Sequence, residues 1–302
     1  MLVFQHPANA RVAGRIERPR HMLTNTFIHI QGIGVKTEQK LWGSGLTDWS
    51  CLSPESINGR PSRLNGFFIA GIEDSIRNLD ENNAAYFGKR LPAGESWRLF
   101  PEFRSSTAYL DIETTGLDRD YDEITTIALY DGASIKTYVQ GRNLNQFADD
   151  IQDYRVLVTY NGRCFDVPFM ERYFKTRFDH AQIDLRYILK SMGFKGGLKR
   201  CEKQLGMDRG DLAGVDGLLA VYLWDRYKRK GDLKALESLL AYNVQDTINL
   251  EHLLVTAYNM KAGETPFARE RRIPEVVLPE NPFAVDVRIV EEIQRSFLRG
   301  PC

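Results

Sequence analysis

Residues 107–117 read Thr-Ala-Tyr-Leu-Asp-Ile-Glu-Thr-Thr-Gly-Leu. Apolar and β-branched residues predict a strand over Thr107–Glu113, on which Asp111 and Glu113, two apart, share one face. Leu110, Ile112 and Thr114 take the other face, and Gly116 ends the strand. Acidic residues are seldom buried without a partner, so two of them closing an apolar strand imply a counter-charge, most simply bound metal. A third acid, Asp166, stands in Asn161-Gly-Arg-Cys-Phe-Asp-Val-Pro168, after a short apolar strand and an Asn-Gly turn. That places it at a strand's carboxyl end, where ligands of open α/β sheets gather. The fourth, Asp246, follows Tyr242 by four residues on a long helical stretch, so the two share a surface. Four oxygen donors select Mg²⁺ or Mn²⁺ over zinc. Two such ions about 4 Å apart can activate water against a phosphodiester.

Outward from this strand, Ile124–Asp131 and Ile135–Gln140 read as two more strands, joined by an Asp131-Gly132 hairpin turn. Arg155–Tyr160 is a short buried strand and Ala181–Asp184 a last one. Helical patterns cover about 143–154, 167–177, 197–206, 215–229, 232–260 and 288–298. Hairpin-ordered strands followed by alternating helix and strand predict an α/β fold, a mixed sheet with helices on both faces. Before it, residues 1–22 read as an extended arm, 23–52 as two short helices around a Gly turn, and about 62–88 as a third helix. The expected division is a helical N-terminal region 1–104, a catalytic unit 105–262, and a C-terminal extension 263–302 rich in Pro, Glu and Arg.

Of the 302 residues, 43% are hydrophobic and 26% charged, ordinary for a globular protein. Forty basic residues cancel forty acidic ones, so any nucleic-acid surface must be local. The cysteines, Cys51, Cys164, Cys201 and Cys302, form no Cys-x-x-Cys pair, which argues against a zinc site or a disulfide framework. No apolar run reaches a membrane span, and the basic run Arg15–His21 is not a secretory signal; the expectation is a cytoplasmic protein.

Asp-x-Glu-Thr-Thr-Gly at 111–116, Asn-Gly-x-x-Phe-Asp-x-Pro at 161–168 and Tyr-x-x-x-Asp at 242–246 resemble, in order and spacing, the three motifs of the DEDD 3′–5′ exonucleases, in the subclass with a tyrosine in the last motif. The chain is most similar to the YprB-like family of exonucleases. The resemblance is specific over about 105–260 and implies the ribonuclease H-like fold. It further implies Asp111, Glu113, Asp166 and Asp246 as ligands of two Mg²⁺ or Mn²⁺ ions and Tyr242 as the residue that orients the attacking water. Thr114, Thr115, Gly116 and Leu117, with Asn161 and Phe165, would contact the terminal ribose and base. Asp184 resembles a supporting acid of that family, with a strand-end salt bridge to Arg186 as the alternative.

Lys195, Lys199 and Arg200, with Lys203, cluster where a helix starts; they are either strand contacts or a solvated helix face. Arg226, Lys228, Arg229 and Lys230 end a helix and complement its dipole. Gly32 and Gly34 bracket Ile33 in a turn resembling the hairpin of helix-hairpin-helix motifs, where main-chain amides and Lys36 would meet a phosphate; a packing corner is the alternative. The expected activity is metal-dependent hydrolysis from the 3′ end of single-stranded nucleic acid, DNA favoured, releasing nucleoside 5′-monophosphates. An RNA 3′-trimming enzyme or a catalytically silent strand-end binder are the alternatives.

Overall fold

The structure is a computed structural model that describes residues 3–5, 22–51, 66–207 and 217–298. Six strands form one sheet: β1 (Val3–Gln5), β2 (Thr107–Thr114), β3 (Ile124–Tyr130), β4 (Ser134–Val139), β5 (Val156–Thr159) and β6 (Ala181–Asp184). Their order is β1-β4-β3-β2-β5-β6. β2, β3 and β4 run antiparallel, while β2–β5 and β5–β6 are parallel, so the sheet is mixed. α-Helices of five residues or more among the described residues are α1 (Val35–Gly43), α2 (Gly66–Asp80), α3 (Ala84–Gly88), α4 (Asp166–Phe174), α5 (Leu185–Ser191), α6 (Leu198–Gln204), α7 (Gly217–Lys230), α8 (Leu233–Gly263) and α9 (Val287–Leu298).

The two-residue alternation of the strands sorts side chains into two cores. Tyr109, Ala128, Tyr130, Val156, Val158 and Ile183 face α8 and the N-terminal elements, in one cluster with Phe27, Phe87, Phe103 and Tyr258. Leu110, Ile112, Ile127, Leu129 and Leu157 face the other way and pack with Phe169 and Met170 of α4. Asp111 and Glu113 have the parity of Tyr109 and therefore point toward α8. Each fully buried Phe or Leu contributes roughly 1.5–3 kcal/mol relative to exposure, so the packing of α8 on the sheet is what fixes this face.

An ion-paired knot ties the N-terminal elements down. Glu38 of α1 is buried and pairs with Arg98 at 2.9 Å. Arg98 also reaches Glu95 at 2.9 Å, and Glu95 pairs with Lys261 of α8 at 3.2 Å.

Several elements differ from the sequence reading. The N-terminal arm contributes β1, which pairs antiparallel with β4. The stretch before Gly32 is a series of turns, not a helix, because the Glu38 carboxylate accepts the Phe27 and Ile28 amides at 2.6 and 3.3 Å. The helix expected from about 62 to 88 breaks into α2 and α3 at Asn82, which has φ 54°, and Asn83 caps α3 through the Tyr86 amide. The helix expected over 143–154 is a run of single turns over 144–153. Helix α5 was not anticipated, and Asp184 caps it by accepting the Arg186 amide. The basic run Arg15–His21 and the segment 208–216 lie outside the described residues.

His29 is buried among these elements. Its Nε2 lies 2.7 Å from Ser75 Oγ, whose hydroxyl donates to the Gly71 carbonyl, so Nε2 carries the proton. Burial first, then Arg98 and Arg90, push the imidazole down to about 3. An unfolded histidine protonates near pH 6.5. Between those values the unfolded state binds the extra proton, so stability is lost as pH falls below about 6.5, at up to about 1.4 kcal/mol per pH unit. His29→Gln, which keeps a donor for Ser75, is expected to lose less stability than the wild type between about pH 7 and about pH 5. Urea denaturation at the two pH values measures this, and equal losses would overturn it.

Candidate active site

Residues from several elements meet in a cleft of about 390 Å³ at the end of the sheet. β2 supplies Asp111 and Glu113, the start of α4 supplies Asp166, and α8 supplies Tyr242 and Asp246. Asn161, Phe165 and Lys199 also line it. The three sequence motifs are therefore brought to one place by the fold.

Local geometry explains how each side chain arrives. The β2–β3 register shifts at Glu113/Thr114, a bulge that ends regular pairing beside the two acids. After β5, Asn161 takes the left-handed conformation with φ 69°, which Asn tolerates better than most residues. Gly162 is required next: a Cβ there would lie 2.2 Å from Thr159 Oγ1. This turn leads into α4, whose first residue is Asp166. Asp184 holds the turn from beneath, accepting the Asn161 and Arg163 amides at 2.8 and 3.1 Å. Arg186 donates to the Asn161 side chain, and no Asp184–Arg186 ion pair forms among the described residues. Asp184 thus positions the turn rather than facing the cleft.

Asn243 was not singled out from the sequence, and it is the most consequential polar neighbour. Fully buried on α8, it donates to the Asp111 carbonyl at 3.0 Å and to Asp111 Oδ2 at 2.8 Å. Its own oxygen accepts the Thr126 hydroxyl at 3.1 Å. A buried amide must be satisfied, and this one clamps α8 to β2 and β3 at the first acid. The signal for it was its place beside Tyr242 on a helix otherwise apolar there.

The electrostatics are those of crowded anions. Burial raises Asp111 well above the usual carboxylate range, and Glu113, Asp246 and Asp166 raise it further, with Asn243 opposing. Glu113 is pushed up to about 8 by burial and Asp246, with Lys199 pulling the other way. Asp166 is pushed up to about 7, chiefly by burial, with main-chain amides opposing. Lys199 is the one cation lining the cleft among the described residues. The Tyr160 hydroxyl, 2.5 Å from the Gly196 carbonyl, anchors the turn that carries it. Lys195 and Arg200 are exposed outside the cleft lining. Thr114, Thr115 and Gly116 follow Glu113 in the chain but are not among the residues lining the cleft, and Leu117 is 86% exposed. Gly32 lies in a separate shallow groove with Lys89 and Arg90, away from the acids; Gly34 and Lys36 are exposed beside it.

No three His, Cys, Asp or Glu side chains stand close enough together to hold a metal ion as they are, among the described residues. The donor chemistry nevertheless fits hard divalent cations: four carboxylates around one cleft against a single lysine among the described lining residues.

A family model described as RNase_H superfamily matches residues 108–258, half of the chain. The chain belongs to the RNase H superfamily. No curated protein matches it. Among solved structures, a family B DNA polymerase from the hyperthermophilic archaeon Pyrobaculum calidifontis is similar, with 18% identity and a TM-score of 0.42. The match covers 56% of this chain and 27% of that polymerase. No described helix is long and apolar enough to cross a membrane.

The crowding has a measurable consequence. A carboxyl raised first by burial and then by its acidic neighbours costs folding stability that an uncharged amide avoids, so Asp111→Asn is expected to melt at a higher temperature than the wild type in EDTA. Mn²⁺ is expected to raise the wild-type melting temperature more than that of the variant. A wild type unmoved by Mn²⁺ and a variant no more stable in EDTA would count against the charge assignment.

Proposed function

We propose that the chain is a metal-dependent 3′–5′ exonuclease of the DEDD tyrosine subclass, acting on single-stranded nucleic acid, DNA favoured, and releasing nucleoside 5′-monophosphates. The observation that carries this reading is the convergence of Asp111, Glu113, Asp166 and Asp246 with Tyr242 in one cleft. Its volume, about 390 Å³, is at the lower end of the roughly 300–1,000 Å³ of small-ligand pockets, which suits a strand end rather than a duplex. The resemblance of the three motifs supplies the polarity and the preference for DNA. The proposed catalytic unit is 105–262, preceded by a helical N-terminal region 1–104 and followed by a C-terminal extension 263–302.

Asp111, Glu113, Asp166 and Asp246 would hold two Mg²⁺ or Mn²⁺ ions. When bound, such ions lower the pKa of a water and neutralise the charge on the entering and leaving oxygens. Tyr242 is pushed up to about 12 by burial, so its phenol keeps its proton at neutral pH. It therefore orients the water through its hydroxyl and is not the base. Lys199, the cation facing Glu113, is placed to meet the scissile phosphate. Asn161 and Phe165 form the wall against which the terminal nucleoside rests. Asn243 keeps Asp111 in one rotamer, which metal binding by a carboxylate requires.

A time course on 5′-labelled single strands, DNA beside RNA, with Mn²⁺ or Mg²⁺, tests the proposal. Wild type is expected to give a ladder shortening from the unlabelled end. Asp111→Ala and Asp246→Ala are expected to abolish it while staying folded, and Tyr242→Phe to slow it by about 10²-fold or more. Undiminished digestion by the Ala variants would refute the site, and binding without any product from wild type would favour a silent strand-end binder.

A further inference from the structure

Along α4, on the face away from Phe169 and Met170, lies a groove of about 500 Å³ lined mostly by cations. Arg119, from the loop after β2, faces Arg172 of α4 and Lys175 and Arg177 just beyond it. The one acid in its lining, Glu171, accepts the Phe178 amide at 3.1 Å. All four cations are exposed. Arg172 meets Asp120 at 3.1 Å, a solvent-facing pair of the kind that contributes little and opens readily. In a chain whose forty basic and forty acidic residues cancel, this is a local positive surface.

The loop is built to hold its shape. Asp122 accepts the Thr115 hydroxyl and the Asp118 amide, both at 2.9 Å, and Asp118 accepts the Asp120 amide at 3.0 Å. Gly116 is required there, since a Cβ would come within 2.4 Å of Asp122 Oδ2. The acids at 118, 120 and 122 are spent on these bonds and on Arg172, while Leu117, Arg119 and Tyr121 are turned to solvent. Tyr121 is 88% exposed. A fixed loop that offers an aromatic ring and a guanidinium side by side matches what a flexible strand needs: a face for a base and a charge for its phosphate.

We propose that this groove carries the phosphodiester backbone of a single strand whose end occupies the acidic cleft, with Tyr121 stacking a base above it. The proposal rests on the reading of the cleft given above. Both walls begin at the cleft: the loop leaves β2 right after Glu113, and α4 starts at Asp166. Nine residues of α4 rise about 13 Å, so the cations lie a few nucleotides from the acids. The arrangement sets substrate length: a strand long enough to reach the groove binds more tightly than one that fills only the cleft.

Fluorescence anisotropy of labelled oligothymidylates about 3 and about 15 residues long, in EDTA, tests this. Wild type is expected to bind the longer strand at least about tenfold more tightly. In R119E/K175E/R177E that advantage is expected to vanish. The slope of log affinity against log salt is expected to shrink by about 2, at about 0.7 per single-strand phosphate contact. K228E/R229E/K230E, with the same change in net charge on α7, is expected to keep both the advantage and the slope. Retention of the advantage in the groove variant, or equal loss in both variants, would overturn the proposal. If wild type cuts no strand in Mn²⁺ yet the groove variant alone loses the length advantage, the nuclease reading fails and the groove stands.

Discussion

The crowding of four carboxylates into one half-buried cleft is the constraint around which this molecule is organised. Asp111, Glu113 and Asp166 are each raised from their ordinary range, burial being the largest cause for every one. Such an arrangement costs stability in the folded chain, and the rest of the structure must hold it in place. The parallel core of β2, β5 and β6 does so from below and the long α8 from above. The buried Asn243 joins the two where the anions meet, bonding Asp111 on β2 and Thr126 on β3 at once. A buried amide with both ends satisfied fixes register as well as rotamer, so α8 cannot slide along the sheet without orphaning it.

Much of this was legible in the sequence, for a physical reason. Strand alternation and helix periodicity are local, so the parity of Asp111 and Glu113, the helix bearing Tyr242 and Asp246, and the mixed sheet could all be read from residue types. What could not be read depends on distant partners. The turns over 26–31 exist because Glu38 takes two amides that a helix would have used within itself. Asp184 looked like a functional acid or half of an ion pair, yet it accepts amides from the Asn161–Arg163 turn as well as capping α5. Asn243 gave no motif of its own, since an amide buried against a strand more than a hundred residues away carries no local pattern.

The same distinction governs the basic residues. Sequence grouping drew attention to Lys195, Lys199 and Arg200, which are close in the chain but not in direction: Lys199 enters the cleft lining and the other two do not. Arg119 and Arg177 are far apart in sequence and yet border one groove, because the loop after β2 packs beside the end of α4. A neutral total charge conceals both features.

An acidic cleft and a basic groove built from the ends of the same two elements form one electrostatic gradient. Cations drawn to the carboxylates and a polyanion drawn to the arginines would be seated side by side, each moderating the repulsion the other's site creates. The fold separates them by the loop in which Asp118 and Asp122 accept main-chain amides. That commitment keeps these acids from competing with Asp111 and Glu113 for cations, although they lie only a few residues further along the chain. Hydrogen bonding within the loop would thus let the end of β2 and the loop that follows it face ligands of opposite charge, as proposed above.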